Sequence, residues 1–232
     1  MMKTDATLVL VCKRPALGHG KQRLAKSLSE SSLVSKSTGA EQALVIANCL
    51  LACALEDLND WPGNKVISPA HVRDLEWAKT LLKSPVQVLA QVDGNLGERL
   101  NYLDKKLRAE GHEKLIFIGS DAPILSALHY QEISTALESH DIALCPAQDG
   151  GVTIMANKIA WPNMKNLAWS TEQFDTSLTL LCQQQQLSVT HTQSSYDVDT
   201  RAQLTQLYHD LKLDKRPARQ KLLHEIKLLL EA

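Results

Sequence analysis

The residues best equipped for chemistry fall in a few separated loops. The first, Lys13-Arg-Pro-Ala-Leu-Gly-His-Gly-Lys-Gln-Arg-Leu24, crowds Lys13, Arg14, Lys21 and Arg23 into one stretch. Gly18 and Gly20 let backbone amides approach a guest closely, and amides opening the next helix favour an anion, so a phosphate is the natural ligand. Two familiar phosphate motifs fail here. A P-loop needs Gly where Pro15 stands and Ser or Thr where Gln22 stands, and the dinucleotide fingerprint needs Gly at Arg23. A solvated basic loop is the competing reading.

A phosphate-bearing substrate needs its developing charge neutralised, usually by a divalent metal on one or two carboxylates. Asp121, in Gly119-Ser-Asp-Ala-Pro123, is one candidate ligand. Asp197 and Asp199, in Ser195-Tyr-Asp-Val-Asp-Thr200, are the others, because alternation in an extended segment puts both on one side. The plainer alternatives are caps: Asp121 for a helix beginning near Ser126, and the Asp-Val-Asp-Thr run for the helix after it. Neither the eight histidines nor the five cysteines show paired zinc spacing. Oxygen ligands with Mg²⁺ or Mn²⁺ fit better.

Asp149, in Ala147-Gln-Asp-Gly-Gly151, is a carboxylate at a turn, suited to orient an acceptor hydroxyl or serve as a base. Asp-Gly is also a common hairpin connection. Gly94, Gly97 and Arg99 offer a second anion or base contact, or else a loop with a solvated arginine. Trp169 is a stacking surface for a ring or a core aromatic.

These loops need a frame. Thr7–Cys12 and Leu115–Ile118 are continuous apolar runs of strand length, as expected of strands covered on both faces. Pro123 forces the chain after the second run to stay extended, which presents Asp121 at the sheet's carboxyl edge, where open α/β sheets bind ligands. Further strands are expected at 65–68, 86–89, 141–146, 152–156 and 187–192. Helices are expected from Leu24, then over 38–58, 71–82, 96–110, 126–138, from Trp169-Ser170 with a Ser170/Gln173 capping box, after Thr200 with Gln203 as its capping partner, and at about 217–231. The alternation describes an α/β protein with a mostly parallel central sheet flanked by helices, and the Asp-Gly turn inserts a small antiparallel element. One domain spanning 1–232 accommodates it.

The net charge of −1 gives no global attraction to nucleic acid or membrane. The cysteines, odd in number and without a C-x-x-C pair, read as reduced thiols of a cytoplasmic protein. The amino-terminal apolar run is too short for a signal peptide, and Ala43–Leu55 falls short of a membrane span, so a buried helix is expected there.

Taken in order, K-R-P-x-L-G-x-G-K-x-R-L, G-N-L-G-E-R, G-S-D-A-P, P-A-Q-D-G-G, W-S-T and D-V-D-T resemble the GT-A-like transferases of the selenodomain-associated type. That family is related to nucleotide-diphospho-sugar transferases and cofactor guanylyltransferases. The resemblance implies the GT-A fold and a nucleotide site with Lys13, Lys21 and Arg23 on phosphates, and the loop reading adds Arg14, Gly18, Gly94, Gly97 and Arg99 to it. It implies Asp121 as a metal ligand with Asp197 or Asp199 as a second and Asp149, Gly150 and Gly151 around a small-molecule acceptor; Mg²⁺ or Mn²⁺ is the cofactor the oxygen ligands suit, and Trp169 with Ser170 is expected beside the acceptor. The implied activity is glycosyl transfer from a nucleotide-sugar. Nucleotidyl transfer releasing pyrophosphate and a non-catalytic nucleotide-binding homologue are the alternatives. Gln22, Asn95, Val152 and Thr153 depart from the residues usual in the family.

Overall fold

A computed structural model describes residues 4–30 and 36–231. Among these, the strands β1 (Thr7–Cys12), β2 (Asn64–Pro69), β3 (Gln87–Val88), β4 (Leu115–Ile118), β5 (Ile142–Pro146), β6 (Val152–Asn157) and β7 (Val189–His191) form one sheet. Its order is β3-β2-β1-β4-β6-β5-β7. β1 pairs in parallel with β2 and β4, and β5 with β7, while β6 runs antiparallel to both β4 and β5. The reversed strand follows from the tight Ala147–Gly151 turn, which leaves no room for a crossover helix.

Alternate residues of the strands feed two cores. Leu8 and Leu10 of β1 pack with Ile116 and Ile118 of β4 under the helices α2 (Lys36–Asp60), α3 (Leu75–Lys79) and α5 (Ala127–Ser139). Val9 and Phe117 face the opposite side, where Leu100 and Leu103 of α4 (Leu96–Ala109) and Leu178 of α6 (Phe174–Gln184) cover them. Outside α2, a further helical layer comprises α1 (Gln22–Glu30), α7 (Arg201–Asp210) and α8 (Pro217–Glu231), joined through Leu24, Ile46, Leu204 and Leu222.

The structure modifies several sequence expectations. The 71–82 helix divides into a 3-10 turn, Val72–Asp74, and a five-residue α3 that ends at Lys79. The Ser170/Gln173 capping box is absent: Ser170 has φ +61, and α6 starts at Phe174 with Gln173 as an N-cap lacking a side-chain bond. Thr200 does accept from the Gln203 amide and caps α7. The cysteines are free and buried. The Thr38–Asp60 stretch of α2 is longer than the sequence reading allowed and, by length and composition alone, is sufficient to cross a membrane. Here it packs on β1, α1 and α8, with Leu51, Ala54 and Leu58 in the core.

That packing includes a buried ionic knot. Arg219 of α8 is fully buried and bonds Asp57 at 2.6 Å and Glu56 at 3.0 Å on α2, while its Nε donates to the Pro123 carbonyl at 3.1 Å. Arg216 adds Asp57 and the Leu125 carbonyl, and Tyr130 donates to Asp57. The segment just after Asp121 is therefore anchored from behind.

Candidate functional site

From β1 the chain crosses to β2 and β3 on one side, and β4 returns to the other side of β1. The loops after β1 and β4 thus straddle a topological switch point, where open sheets leave a crevice at the strands' carboxyl ends. An open cleft of about 910 Å³ lies there. Sheet order sets its axis: Ala70 and Gln91 follow β2 and β3 at one end, Lys13 and Asp121 occupy the middle, and Asp149 with Thr153 belongs to the β5–β6 hairpin at the other.

The centre is an ion cluster. Lys21 Nζ donates to the Val198 carbonyl at 2.7 Å and to Asp199 Oδ1 at 2.9 Å, and lies 3.0 Å from Asp121 Oδ2. Arg23 pairs with the other Asp199 oxygen. The backbone follows the same convergence, since the Val198 amide donates to the Asp121 carbonyl at 2.9 Å. Lys21 itself has φ +47, an uncommon conformation for a residue with a side chain, retained where surrounding contacts over-determine it. Burial pulls its ammonium pKa down, but the charges of Asp121 and Asp199 and the hydrogen bonds to them outweigh it, so the pKa is raised and Lys21 is charged. Burial, with Asp199 and Asp149 nearby, pushes the Asp197 carboxyl up to about 6 against the opposing pull of Lys21.

Asp121 does not cap a helix. Ser126 takes that place for α5, in a reciprocal arrangement with His129. The side chain of Asp121 is 46% exposed, and its Oδ1 meets only the Ser120 hydroxyl, at 3.1 Å. Among the described residues no three His, Cys, Asp or Glu side chains gather as a metal-ligand set. Asp121, Asp197 and Asp199 therefore do not make a joint cage, and both Asp199 oxygens are occupied by cationic side chains. The donors are all oxygen, and one accessible carboxylate facing an open cleft fits Mg²⁺ or Mn²⁺, which keep waters and take their remaining ligands from substrate phosphates.

Lys13 is exposed on the cleft wall. Arg14 also lines the cleft, but its guanidinium sits 5.8 Å above the Trp77 ring. Gly18 instead faces a separate crevice of about 30 Å³ between the loop and α2. Gly94 and Arg99 line the cleft, with Arg99 Nε donating to the Gly94 carbonyl at 2.9 Å. Gly97 is buried away from it; a Cβ there would lie 2.2 Å from the Met164 carbonyl oxygen, so its role is close packing of α4.

Asp149 faces the cleft with Oδ1 held by the Gly151 amide at 3.0 Å. Gly151 lines the cleft beside it, whereas Gly150, at φ +83, lies tight against the Glu172 backbone. Trp169 packs on Phe174 with centroids 4.4 Å apart and also lines the cleft next to Ser170. Glu172 and Gln91 are lining residues that sequence reasoning missed. Neither belongs to a recognisable motif; only the position of Gln91 just after a strand marked it.

The family described as "Uncharacterized protein conserved in bacteria (DUF2064)" matches residues 54–171. The chain belongs to this family. The DUF2064 match holds Gln91, Asp121, Asp149 and Trp169, while the Lys13–Arg23 loop and the 197–200 run lie outside it. No curated protein matches the chain. A Desulfovibrio desulfuricans G20 structure, provisionally described as a nucleotide-diphospho-sugar transferase, has TM-score 0.83 at 22% identity, covering 99% of this chain and 98% of that one. A cytidylyltransferase from Leptospira borgpetersenii has TM-score 0.55 at 12% identity, covering 98% and 95%. A nucleotidyl transferase from Methanothermobacter has TM-score 0.54 at 13% identity, covering 89% and 99%. The fold is that of nucleotide-diphospho-sugar transferases, as the motif order implied.

Proposed function

We propose that the chain is a transferase that holds a nucleotide-sugar across the β1/β4 switch point and passes the sugar to a small acceptor. The observation carrying this reading is the contact of Lys21 with Asp121, which brings the cationic loop and the acidic loop to one cleft. Lys13, Arg23 and amides of the His19–Lys21 segment hold the diphosphate, with Arg99 available from α4. Lys21 acts as counter-ion to Asp121 and Asp199, since its three acceptors leave it little freedom to hold phosphate directly.

Asp121 and the diphosphate would hold Mg²⁺ or Mn²⁺, with Asp197 near enough to Lys21 and Asp199 to add its charge; the ion's contribution is to neutralise the departing diphosphate. At the hairpin end, Asp149 accepts a hydrogen bond from the acceptor hydroxyl and takes its proton as the new bond forms. Trp169, Ser170 and Gly151 shape the acceptor's seat. A single sheet threading residues 7–191 supports one catalytic domain over the whole chain.

The test is a thermal-shift screen of nucleoside di- and triphosphates and nucleotide-sugars with and without Mn²⁺, since a ligand of the native state raises the melting temperature. Product analysis on the stabilising ligands follows. Nucleoside diphosphate release supports sugar transfer, pyrophosphate release reassigns the chain to nucleotidyl transfer, and binding without product makes it a non-catalytic homologue. No shift with any of these ligands rejects the reading.

A further inference from the structure

The guanidinium of Arg219 works in two directions at once. Toward α2 it pairs with Glu56 and Asp57. Toward the loop after β4 its Nε donates to the Pro123 carbonyl at 3.1 Å, and a terminal nitrogen reaches the Leu125 carbonyl at 3.4 Å. Arg216 donates to that same Leu125 carbonyl at 2.9 Å while pairing with Asp57 and Asp214.

Ion pairing alone does not account for these arginines. A buried ion pair is weak evidence for stability, because desolvation offsets the attraction and apolar side chains of similar volume would join α2 to α8 about as well. What apolar groups could not supply is a donor. Pro123 and Leu125 are buried in residues 119–126, a stretch that is neither strand nor helix, and a buried carbonyl left without a donor is costly. The two arginines give this irregular loop the hydrogen bonds that a ladder would give it elsewhere.

Asp121 is the residue this support reaches. Pro123 has a fixed φ and keeps Ala122 away from helical angles, so little backbone freedom separates the anchored Pro123 carbonyl from Asp121. On the cleft side, the Asp121 carbonyl accepts from the Val198 amide at 2.9 Å and its carboxylate meets Lys21. The loop is clamped in front by the 197–200 segment and behind by α8.

We propose that Arg219, assisted by Arg216, is a positioning residue for Asp121, so that α8 sets the geometry in which the cleft's accessible carboxylate meets a divalent ion. This rests on the reading above, in which Asp121 holds Mg²⁺ or Mn²⁺. Neither arginine lines the cleft; both act through the Pro123–Leu125 backbone. A metal ligand must be held within about half an ångström of its productive place, which is why support from behind matters.

The experiment is calorimetry with inorganic pyrophosphate, once in a chelator and once in Mn²⁺. Arg219→Lys keeps a buried cation for Glu56 and Asp57 but loses the fork that reaches the carbonyls as well. Its pyrophosphate affinity in the chelator is expected to be unchanged, since Lys13 and Arg23 are untouched. Its Mn²⁺ enhancement is expected to fall about tenfold, the lower end of what groups orienting a metal ligand contribute. Arg108→Lys is the control for a purely structural loss: Arg108 likewise pairs with an acid, Asp104, and donates to the Glu113 and Lys158 carbonyls, but none of these residues lines the cleft. That variant should keep the native Mn²⁺ enhancement. Without any metal, hydrogen exchange at the Val198 amide should be faster in Arg219→Lys than in Arg108→Lys.

A native Mn²⁺ enhancement in folded Arg219→Lys overturns the proposal, as does an equal loss in Arg108→Lys. If Arg219→Lys does not fold, Arg216→Gln decides by the same comparison, because it takes a donor from Leu125 and leaves Arg219 with both acids. Absence of any Mn²⁺ enhancement in the native protein would bring down the metal reading and this role with it, a result distinct from an enhancement that survives Arg219→Lys.

Discussion

The Lys21 ammonium lies 3.0 Å from the Asp121 carboxylate, joining the loop after β1 to the loop after β4. With Asp199 at 2.9 Å as well, Lys21 ties two negative groups together at the cleft's centre. The arrangement makes the two aspartates separable by mutation.

Asp121→Ala removes the more exposed partner and leaves Lys21 bonded to Val198 and Asp199. The variant is expected to stay folded, with an unchanged circular dichroism spectrum, and to lose Mn²⁺-assisted nucleotide binding. Calorimetry showing the native Mn²⁺ enhancement would reject the ligand role.

Asp199→Asn acts in the opposite sense. It releases Arg23 and lowers the negative charge facing Lys21, so both cations become more available to an anion. Pyrophosphate affinity in the presence of a chelator should rise roughly fivefold, the effect of about 1 kcal/mol for a partly exposed ion pair. A fall in affinity would show that Asp199 itself supports the ligand.

The Arg219 knot is also a matter of stability. Arg219→Ala leaves Asp57 with only Arg216 and Tyr130 and takes the facing cation from Glu56, and should cost about 3 kcal/mol, read from urea unfolding. Asp57→Ala combined with it should cost clearly less than the sum of the single changes, because both break the same Arg219–Asp57 pair. Additive losses would mean that the groups act independently.

Gly97→Ala and Gly150→Ala should each lower the melting temperature without deleting any cleft side chain. The new Cβ would meet the Met164 carbonyl oxygen at 2.2 Å and the Glu172 carbonyl oxygen at 1.9 Å respectively. Overpacking of this kind costs about 1–3 kcal/mol, and Gly150 adds the strain of a left-handed backbone. Gly18→Ala, with open space around its Cβ, should show the backbone strain alone.

Acid should weaken the tie between β5 and β7. Hydrogen bonds from the Ser188 hydroxyl and amide hold the Asp141 carboxyl below its ordinary value of 3.8. The stability it contributes is present above that value and disappears as pH falls through the lower folded-state pKa. Asp141→Asn should therefore narrow the gap in urea midpoint between pH 7 and pH 3; an unchanged gap would discount the tie.

The strands were legible because β1 and β4 are unbroken apolar blocks ended by turn residues, and the turn at Asp149 marked the antiparallel pair. Motif order also indicated the fold, and the cleft does gather Lys13, Arg23, Asp121, Asp149 and Asp199. Other features were hidden for physical reasons. The glycines of a loop motif look alike in sequence, yet Gly97 and Gly150 serve packing while Gly94 and Gly151 line the cleft. Arg219 carries no sign of its burial in sequence, because the two acids that meet it lie about 160 residues away on α2. Gln91 carries no motif; its meaning comes from the Ser68 carbonyl, a partner set by strand register.

Because β6 runs against its neighbours, the hairpin carrying Asp149 emerges on the same rim as the loops after β1 and β4, where it is bridged to Ser195 at the head of the segment carrying Asp197 and Asp199. A lineage could lengthen or rewrite those few turn residues and address a new recipient molecule while the donor-gripping apparatus stayed untouched. If the proposed acceptor role of Asp149 holds, the choice of recipient is confined to a short tongue at one side of the cleft.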